Sequence, residues 1–463
     1  MSRLSATRIS SQKRHQLLLQ VKREVRQYRL HLPHRAVLTQ LAGEKPPLKM
    51  RRSWDVEVKI GNHPSFKLSA NTGIIEVFDR IGGRLLILGG TGSGKTTTLV
   101  GLAKVLVDRA LKDEHEPMPV WLNLSGWRVG CEAIEDWIVG QIQKKYAIAP
   151  DVARYWMEQL QILPLLDGLD EVEPGRREAS IREINDLLEG NLSPLHLVVC
   201  SGVKAYHRCE NRFRLNGAIL LRPLTRRQVK TYLIDARSRE LWNDIKNDPQ
   251  LLKLAKKPLF LSLMTLAYEN ILISSWKHLD TLDEQRQYLL NAYLRHQISA
   301  TRDRGLSEAE KKYTSEQFRH WLTELAKRMQ REETQTFILD RIPKTWLHTP
   351  EQERAYRLAE RAVGGVIWWG VVAVIALGAI SGSVGLLATG MVLGLAVAAG
   401  YEWLSLGWAI ERLALRFVLW GEGDAPWNYA QFLNDAARRL LLRKMGDRYE
   451  FIHRLLQEHL AQI

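Results

Sequence analysis

The run Gly89-Gly90-Thr91-Gly92-Ser93-Gly94-Lys95-Thr96 holds the residue types needed to bind a polyphosphate. Glycine lets backbone N–H groups converge on an anion where a side chain would block the path. Lys95 adds a mobile charge able to reach β- and γ-phosphates, and the Thr96 hydroxyl can ligate magnesium (Mg2+). An apolar stretch, Arg84–Leu88, precedes the run, and Thr96–Ala110 follows with helical spacing. A helix there would aim its positive N-terminal end at the phosphates. Gly89 to Thr96, together with Thr97, therefore form the expected cradle for ATP or ADP.

Hydrolysis in such a site needs a carboxylate at the end of a buried strand. Ile162-Leu163-Pro164-Leu165-Leu166 leads into Asp167, with Gly168-Leu169-Asp170-Glu171 behind it. Asp167 is placed to hold the metal through water, and Asp170 or Glu171 to polarise the attacking water.

These residues must be positioned by a scaffold, and the chain supplies the pattern of one. From about Gly73 to Pro223, short apolar runs alternate with amphipathic stretches, the mark of a parallel α/β sheet. The expected strands are Arg84–Leu88, Pro119–Leu124, Gln161–Leu166, Leu195–Cys200 and Ala218–Leu221, with helices Thr96–Ala110, Cys131–Lys144 and Gly175–Leu188 between them. Residues 224–345 then read as helical throughout. No repeat of solenoid or propeller length occurs.

The chain has 463 residues, 45% hydrophobic and 25% charged, which suits a globular protein of several domains. Its three cysteines form no CxxC pair. A reducing compartment is expected, without a zinc or disulfide scaffold. No apolar stretch of signal-peptide length opens the sequence. The formal net charge of +15 favours an anionic partner. Much of it lies in residues 1–53, where Gln12–Arg29 can form a helix with Leu17, Leu18, Val21 and Val25 on one side. That basic stretch is a solvated face or a site for acidic lipid or nucleic acid.

Between Arg361 and Glu402 there is no charged residue. About 20 residues cross a hydrocarbon core of about 30 Å, so this run is long enough for two helices. Ser381-Gly382-Ser383 provides a turn, and tryptophans and arginines flank the ends. A transmembrane hairpin over 362–403 is expected, in contact with lipid through 362–401, giving a multi-pass membrane protein with its ATPase domain on the cytoplasmic side.

Leu165-Leu166-Asp167-Gly168-Leu169-Asp170-Glu171 resembles the acidic signature of NACHT domains, a branch of the STAND P-loop NTPases. Further matches fall in the family's order: Ile74-Ile75-Glu76-Val77-Phe78-Asp79, Arg222-Pro223-Leu224-Thr225, and Pro258-Leu259-Phe260-Leu261-Ser262. Phe451-Ile452-His453-Arg454-Leu455-Leu456-Gln457-Glu458-His459 resembles the C-terminal motif of NOD-like relatives. The resemblance implies that Pro258 lies near adenine and that His453 touches the β-phosphate of ADP in a closed state. It also implies a nucleotide domain over 54–235, a helical domain over 236–314, and a winged-helix-like domain split into 315–361 and 404–463 around the hairpin.

One position departs from the family. Ser201 is followed by Gly202 where an arginine would read the γ-phosphate, and the ammonium of Lys204 cannot copy a guanidinium fork. Tight ATP binding with slow hydrolysis is the expectation. The implied function is a membrane-anchored switch that forms homo-oligomers when ATP-bound. An ATPase coupled to transport or stimulated by nucleic acid is the alternative.

Overall fold

The computed structural model describes residues 2–30, 56–60, 66–67, 73–299, 313–362 and 406–463, apart from 128, 129, 131, 191, 269, 270, 272, 277, 333, 340–343, 348, 360 and 447; 373, 376 and 377 are described singly. The chain divides into two compact units, Met1–Ala300 and Thr301–Ile463.

The first unit is built on a seven-stranded sheet. Its strands are β1 (Val56–Ile60), β2 (Phe66–Lys67), β3 (Arg84–Gly89), β4 (Met118–Asn123), β5 (Ile162–Asp167), β6 (Leu197–Gly202) and β7 (Gly217–Leu221). They lie in the order β2-β1-β7-β3-β6-β5-β4. From β7 to β4 every pairing is parallel. β1 and β2 add an antiparallel edge. β5 and β6 are buried along their whole length, as parallel strands covered on both faces must be, which explains their unbroken apolar runs.

The strand order sets up the site. β6 lies between β3 and β5, so the acidic strand end stands two strand spacings, about 10 Å, from the phosphate loop. That gap leaves room for phosphate, metal and water.

Helix Lys95–Ala110 buries Leu99, Leu102, Ala103, Leu106 and Val107. The N-terminal helix, Ser2–Leu30, belongs to this unit too. Leu17, Leu18, Val21, Val25 and Tyr28 are buried in it. Arg14 donates to the carbonyls of Ala110 (3.3 Å), the last residue of helix Lys95–Ala110, and of Glu116 (2.7 Å) beyond it. Lys22 pairs with Asp108 at 2.9 Å, and Glu24 accepts from Tyr146 at 2.9 Å. Arg23, Arg26 and Arg29 remain exposed.

The second unit has a three-stranded antiparallel sheet in the order β8-β10-β9, from β8 (Thr336–Ile338), β9 (Leu442–Met445) and β10 (Arg448–Phe451). Segments on both sides of the apolar run build it. Arg328 reaches Asp424 at 2.6 Å, and Trp321 Nε1 donates to the Gly423 carbonyl at 2.8 Å.

The expected hairpin itself, 362–403, lies outside the described residues but for scattered positions. Among the described residues no helix is long and apolar enough to cross a membrane. Helix Leu406–Gly421, directly after the run, has 16 residues, including Glu411, Arg412 and Arg416. It is both too short and too charged to span. The multi-pass membrane location, and with it the lipid partner, is therefore corrected: no described element carries it.

Candidate functional site

β3 ends at Gly89, and the loop beyond it turns into helix Lys95–Ala110 through two left-handed residues, Gly92 (φ +75) and Gly94 (φ +93). An L side chain at such angles costs about 1–2 kcal/mol, which explains glycine at both. Gly89 is required for a different reason. A Cβ there would stand 2.2 Å from Ser93 Oγ and 3.2 Å from Lys95 Cγ. Gly90 has open space around it, so its identity answers to no contact among the described residues. Thr91 is exposed at the loop tip, and Thr96 and Thr97 are half-buried in the first helical turn. Ser93 Oγ is buried without a hydrogen-bond partner among the described residues. A cradle of glycines around an unsatisfied hydroxyl, at a helix N-terminus, fits a phosphate group.

Lys95 Nζ is 3.3 Å from Asp170 Oδ2 and 3.4 Å from the Gly89 carbonyl. The acidic strand end therefore meets the phosphate loop across β6. Asp167 is buried, and burial pushes its carboxyl pKa up, against the hydrogen bond from Thr96 and the charge of Lys95, which pull it down. Among the described residues no three His, Cys, Asp or Glu side chains gather as a metal-ligand set. Thr96 and Asp167 together still fit magnesium, which keeps several waters and takes most remaining oxygens from phosphate. A dication would also favour the ionised form of the desolvated carboxylate.

Gly168 turns the chain after β5 in the left-handed region (φ +81), and a Cβ on it would stand 2.7 Å from Glu171 Oε2. Asp170 and Glu171 then diverge. Asp170 goes to Lys95, while Glu171 accepts a hydrogen bond from Asn123 Nδ2 at 3.2 Å. The Asn123 amide is itself fixed, because its Oδ1 accepts the Ser125 N–H at 2.8 Å. Arg177 holds the same loop from behind, donating to the carbonyls of Asp170 and Val172 at 2.8 Å each.

Pro258 occupies the first turn of helix Pro258–Ala267, where it lacks no needed donor. Its neighbour Leu259 donates its N–H to the Gly92 carbonyl at 3.2 Å, so this helix start rests on the phosphate loop. His453 belongs to the second unit. It is the N-cap of helix Arg454–Gln462, and its Nδ1 accepts the Leu455 N–H at 3.1 Å. Gly89, Ser93, Lys95, Thr96, Asp167, Asp170 and Pro258 thus share one neighbourhood in the first unit.

Asn123, Arg177 and the Cys200 thiol beside Asp167 join the site without a motif to mark them. Asn123 carried a readable signal: it is the polar last residue of an apolar strand and lies in register with Asp167. Strand ends of that side are where parallel sheets place ligands.

Residues 84–240 match the family model of the NACHT domain. No curated protein matches the chain at a comparable level. Among solved structures, Cdc6p from Pyrobaculum aerophilum is 12% identical with a TM-score of 0.30, over 84% of this chain and 92% of that one. The Aeropyrum pernix Orc1 protein, in complex with DNA, is 16% identical with a TM-score of 0.32, over 57% and 72%. Drosophila ORC bound to DNA is 12% identical with a TM-score of 0.30, over 93% and 100%. Overlaps this loose carry no reading of function.

Proposed function

We propose that this chain, which carries a NACHT domain of the P-loop NTPases over residues 84–240, binds ATP and ADP at its phosphate loop and works as a slow nucleotide-controlled switch. The observation behind this reading is the convergence of Lys95, Thr96, Asp167 and Asp170 on one point where β3, β6 and β5 end.

The geometry supports a role for each residue in this reading. N–H groups of residues 90–95 and the helix N-terminus take the phosphates, and Lys95 neutralises the β- and γ-phosphate oxygens. Thr96 and Asp167 would hold magnesium, which screens charge between the phosphates. Glu171, its carboxylate aimed by Asn123, is the acceptor for the proton of the attacking water. Pro258 and Leu259 bring the helical segment against the loop, so that a change at the phosphates is felt beyond the sheet.

Slow chemistry follows from position 202. A positioned arginine in such reactions is worth about 10³–10⁵ in rate. Gly202 supplies none, and Lys204 is exposed on the short helix that follows. A switch whose two states are ADP- and ATP-bound, with homo-oligomers formed in the ATP state, suits a site that holds nucleotide longer than it consumes it. The ADP contact of His453 is part of this proposal and rests on its motif.

Lys95→Ala is expected to abolish tight binding, because it removes the mobile charge over the phosphates. Equilibrium binding of labelled ATP to both forms checks it. Equal affinities would remove Lys95 from the site, and a native chain that binds no ATP would end the nucleotide reading.

A further inference from the structure

Position 202 does more than lack an arginine. Gly202 is the last residue of β6 and pairs in register with Gly89, the last residue of β3. A Cβ placed on Gly202 would stand 2.8 Å from Asp170 Oδ2 and 3.0 Å from both Asp170 Cβ and Cγ. Real side chains do not approach so closely, so Asp170 lies where any other residue at 202 would put its own side chain. From that seat its carboxylate reaches Lys95, with the two side chains 22% and 11% exposed. Asp170 Oδ1 is buried with no hydrogen-bond partner among the described residues. The carboxylate is therefore held chiefly through its other oxygen. Its backbone cannot follow if it leaves, because Arg177 grips the Asp170 carbonyl.

We propose that Asp170 is a latch on Lys95, seated in the space Gly202 leaves, that makes the site discriminate between nucleoside diphosphate and triphosphate. The inference rests on the nucleotide-binding reading above. Lys95 carries one positive charge, and Asp170 already neutralises it. A triphosphate brings a γ-phosphate to that ammonium and must displace the carboxylate, or hold two anions around one cation. A diphosphate also reaches Lys95 through its β-phosphate, but it brings less negative charge to the ammonium and so disturbs the pair less. The latch thus lowers affinity for ATP more than for ADP, and it does so by a rotation of one side chain.

The test is the ratio of ATP to ADP affinity, measured by equilibrium binding on the full chain with magnesium and again in EDTA. Asp170→Asn keeps the shape and removes the charge, and should raise the ratio about tenfold, the effect of losing one charge-assisted contact. Gly202→Ala should move the ratio the same way by a different route, since its methyl group expels the carboxylate. Because the latch acts on Lys95, the rise must persist in EDTA. A ratio within about twofold of native for Asp170→Asn overturns the latch, as does a fall in both conditions. A rise seen only with magnesium makes Asp170 a metal-site residue and also overturns it. Failure of the parent reading looks different: the native chain would then bind neither nucleotide, or Lys95→Ala would bind both as the native chain does, placing them elsewhere.

Discussion

At the scale of single residues, the site divides into what spacing discloses and what only folding brings together. Lys95, Thr96 and Asp167 were legible because each sits at a fixed offset from a strand end, and backbone geometry sets their chemistry. The pairing of Lys95 with Asp170 spans 75 positions and depends on β6 lying between β3 and β5, which no local pattern encodes. Asp170 and Glu171 read as equivalent in sequence, yet they face different partners, Lys95 and Asn123. Expecting water activation from either one was as far as the sequence went. Asn123 gives the means to separate them. Asn123→Ala removes the amide contact that aims Glu171 without touching the phosphate cradle, so ATP affinity should stay within about twofold. Single-turnover hydrolysis should fall about tenfold or more, the cost of about 1.4 kcal/mol in alignment. A rate equal to native would remove Glu171 from the chemistry.

At the scale of elements, the central strands were legible within a residue or two, since fully buried parallel strands read as unbroken apolar runs. β1 and β2 were missed. Val56-Glu57-Val58-Lys59-Ile60 alternates charge with β-branched residues, as a strand with one solvated face does, but five residues beside a charged segment give too short a pattern. Helix Pro150–Glu158 was missed for the same reason of length, despite the proline in its first turn. The N-terminal helix teaches the opposite lesson. Its apolar stripe was visible, but its burial was not, and a basic composition drew attention to the other face. Arg14 is committed to carbonyls at and past the end of helix Lys95–Ala110, the helix whose first turn carries Lys95 and Thr96. This element therefore braces the first unit. Leu17 is fully buried, so Leu17→Ala should cost about 2–5 kcal/mol. Arg26→Glu, on the exposed face, should change stability by no more than about 0.5 kcal/mol. Urea unfolding followed by intrinsic tryptophan fluorescence checks both. Equal, small effects would mean the helix contributes nothing to the first unit.

At the scale of the whole molecule, the chain makes two units, and the second is assembled across the apolar run. Helix Ser315–Arg331 and β8 come before the run, while Asp424, β9 and β10 come after it. Arg328, 2% exposed, pairs with Asp424 and lies 5.2 Å over the Trp346 ring, so a buried charge ties the two halves. Sequence could mark the run but not how its flanks close on each other. Communication between nucleotide and second unit, in the proposed switch, falls to His453. That residue already has a structural task, since its Nδ1 caps helix Arg454–Gln462. Substitution by leucine would remove cap and ring together, and losing a cap alone costs about 1 kcal/mol. Asparagine separates the two effects, because its side-chain oxygen is among the best N-caps while it lacks the imidazole. A ligand can bias a two-state element only through a contact it makes in one state and not the other. If the ring provides that contact, His453→Asn should melt like the native protein, bind ADP about tenfold more weakly, keep its ATP affinity, and form larger particles in the presence of ADP. Calorimetry, equilibrium binding and mass measurement read these separately. An asparagine variant with native ADP affinity would leave His453 a capping residue alone, and the switch would have to be read elsewhere in the second unit.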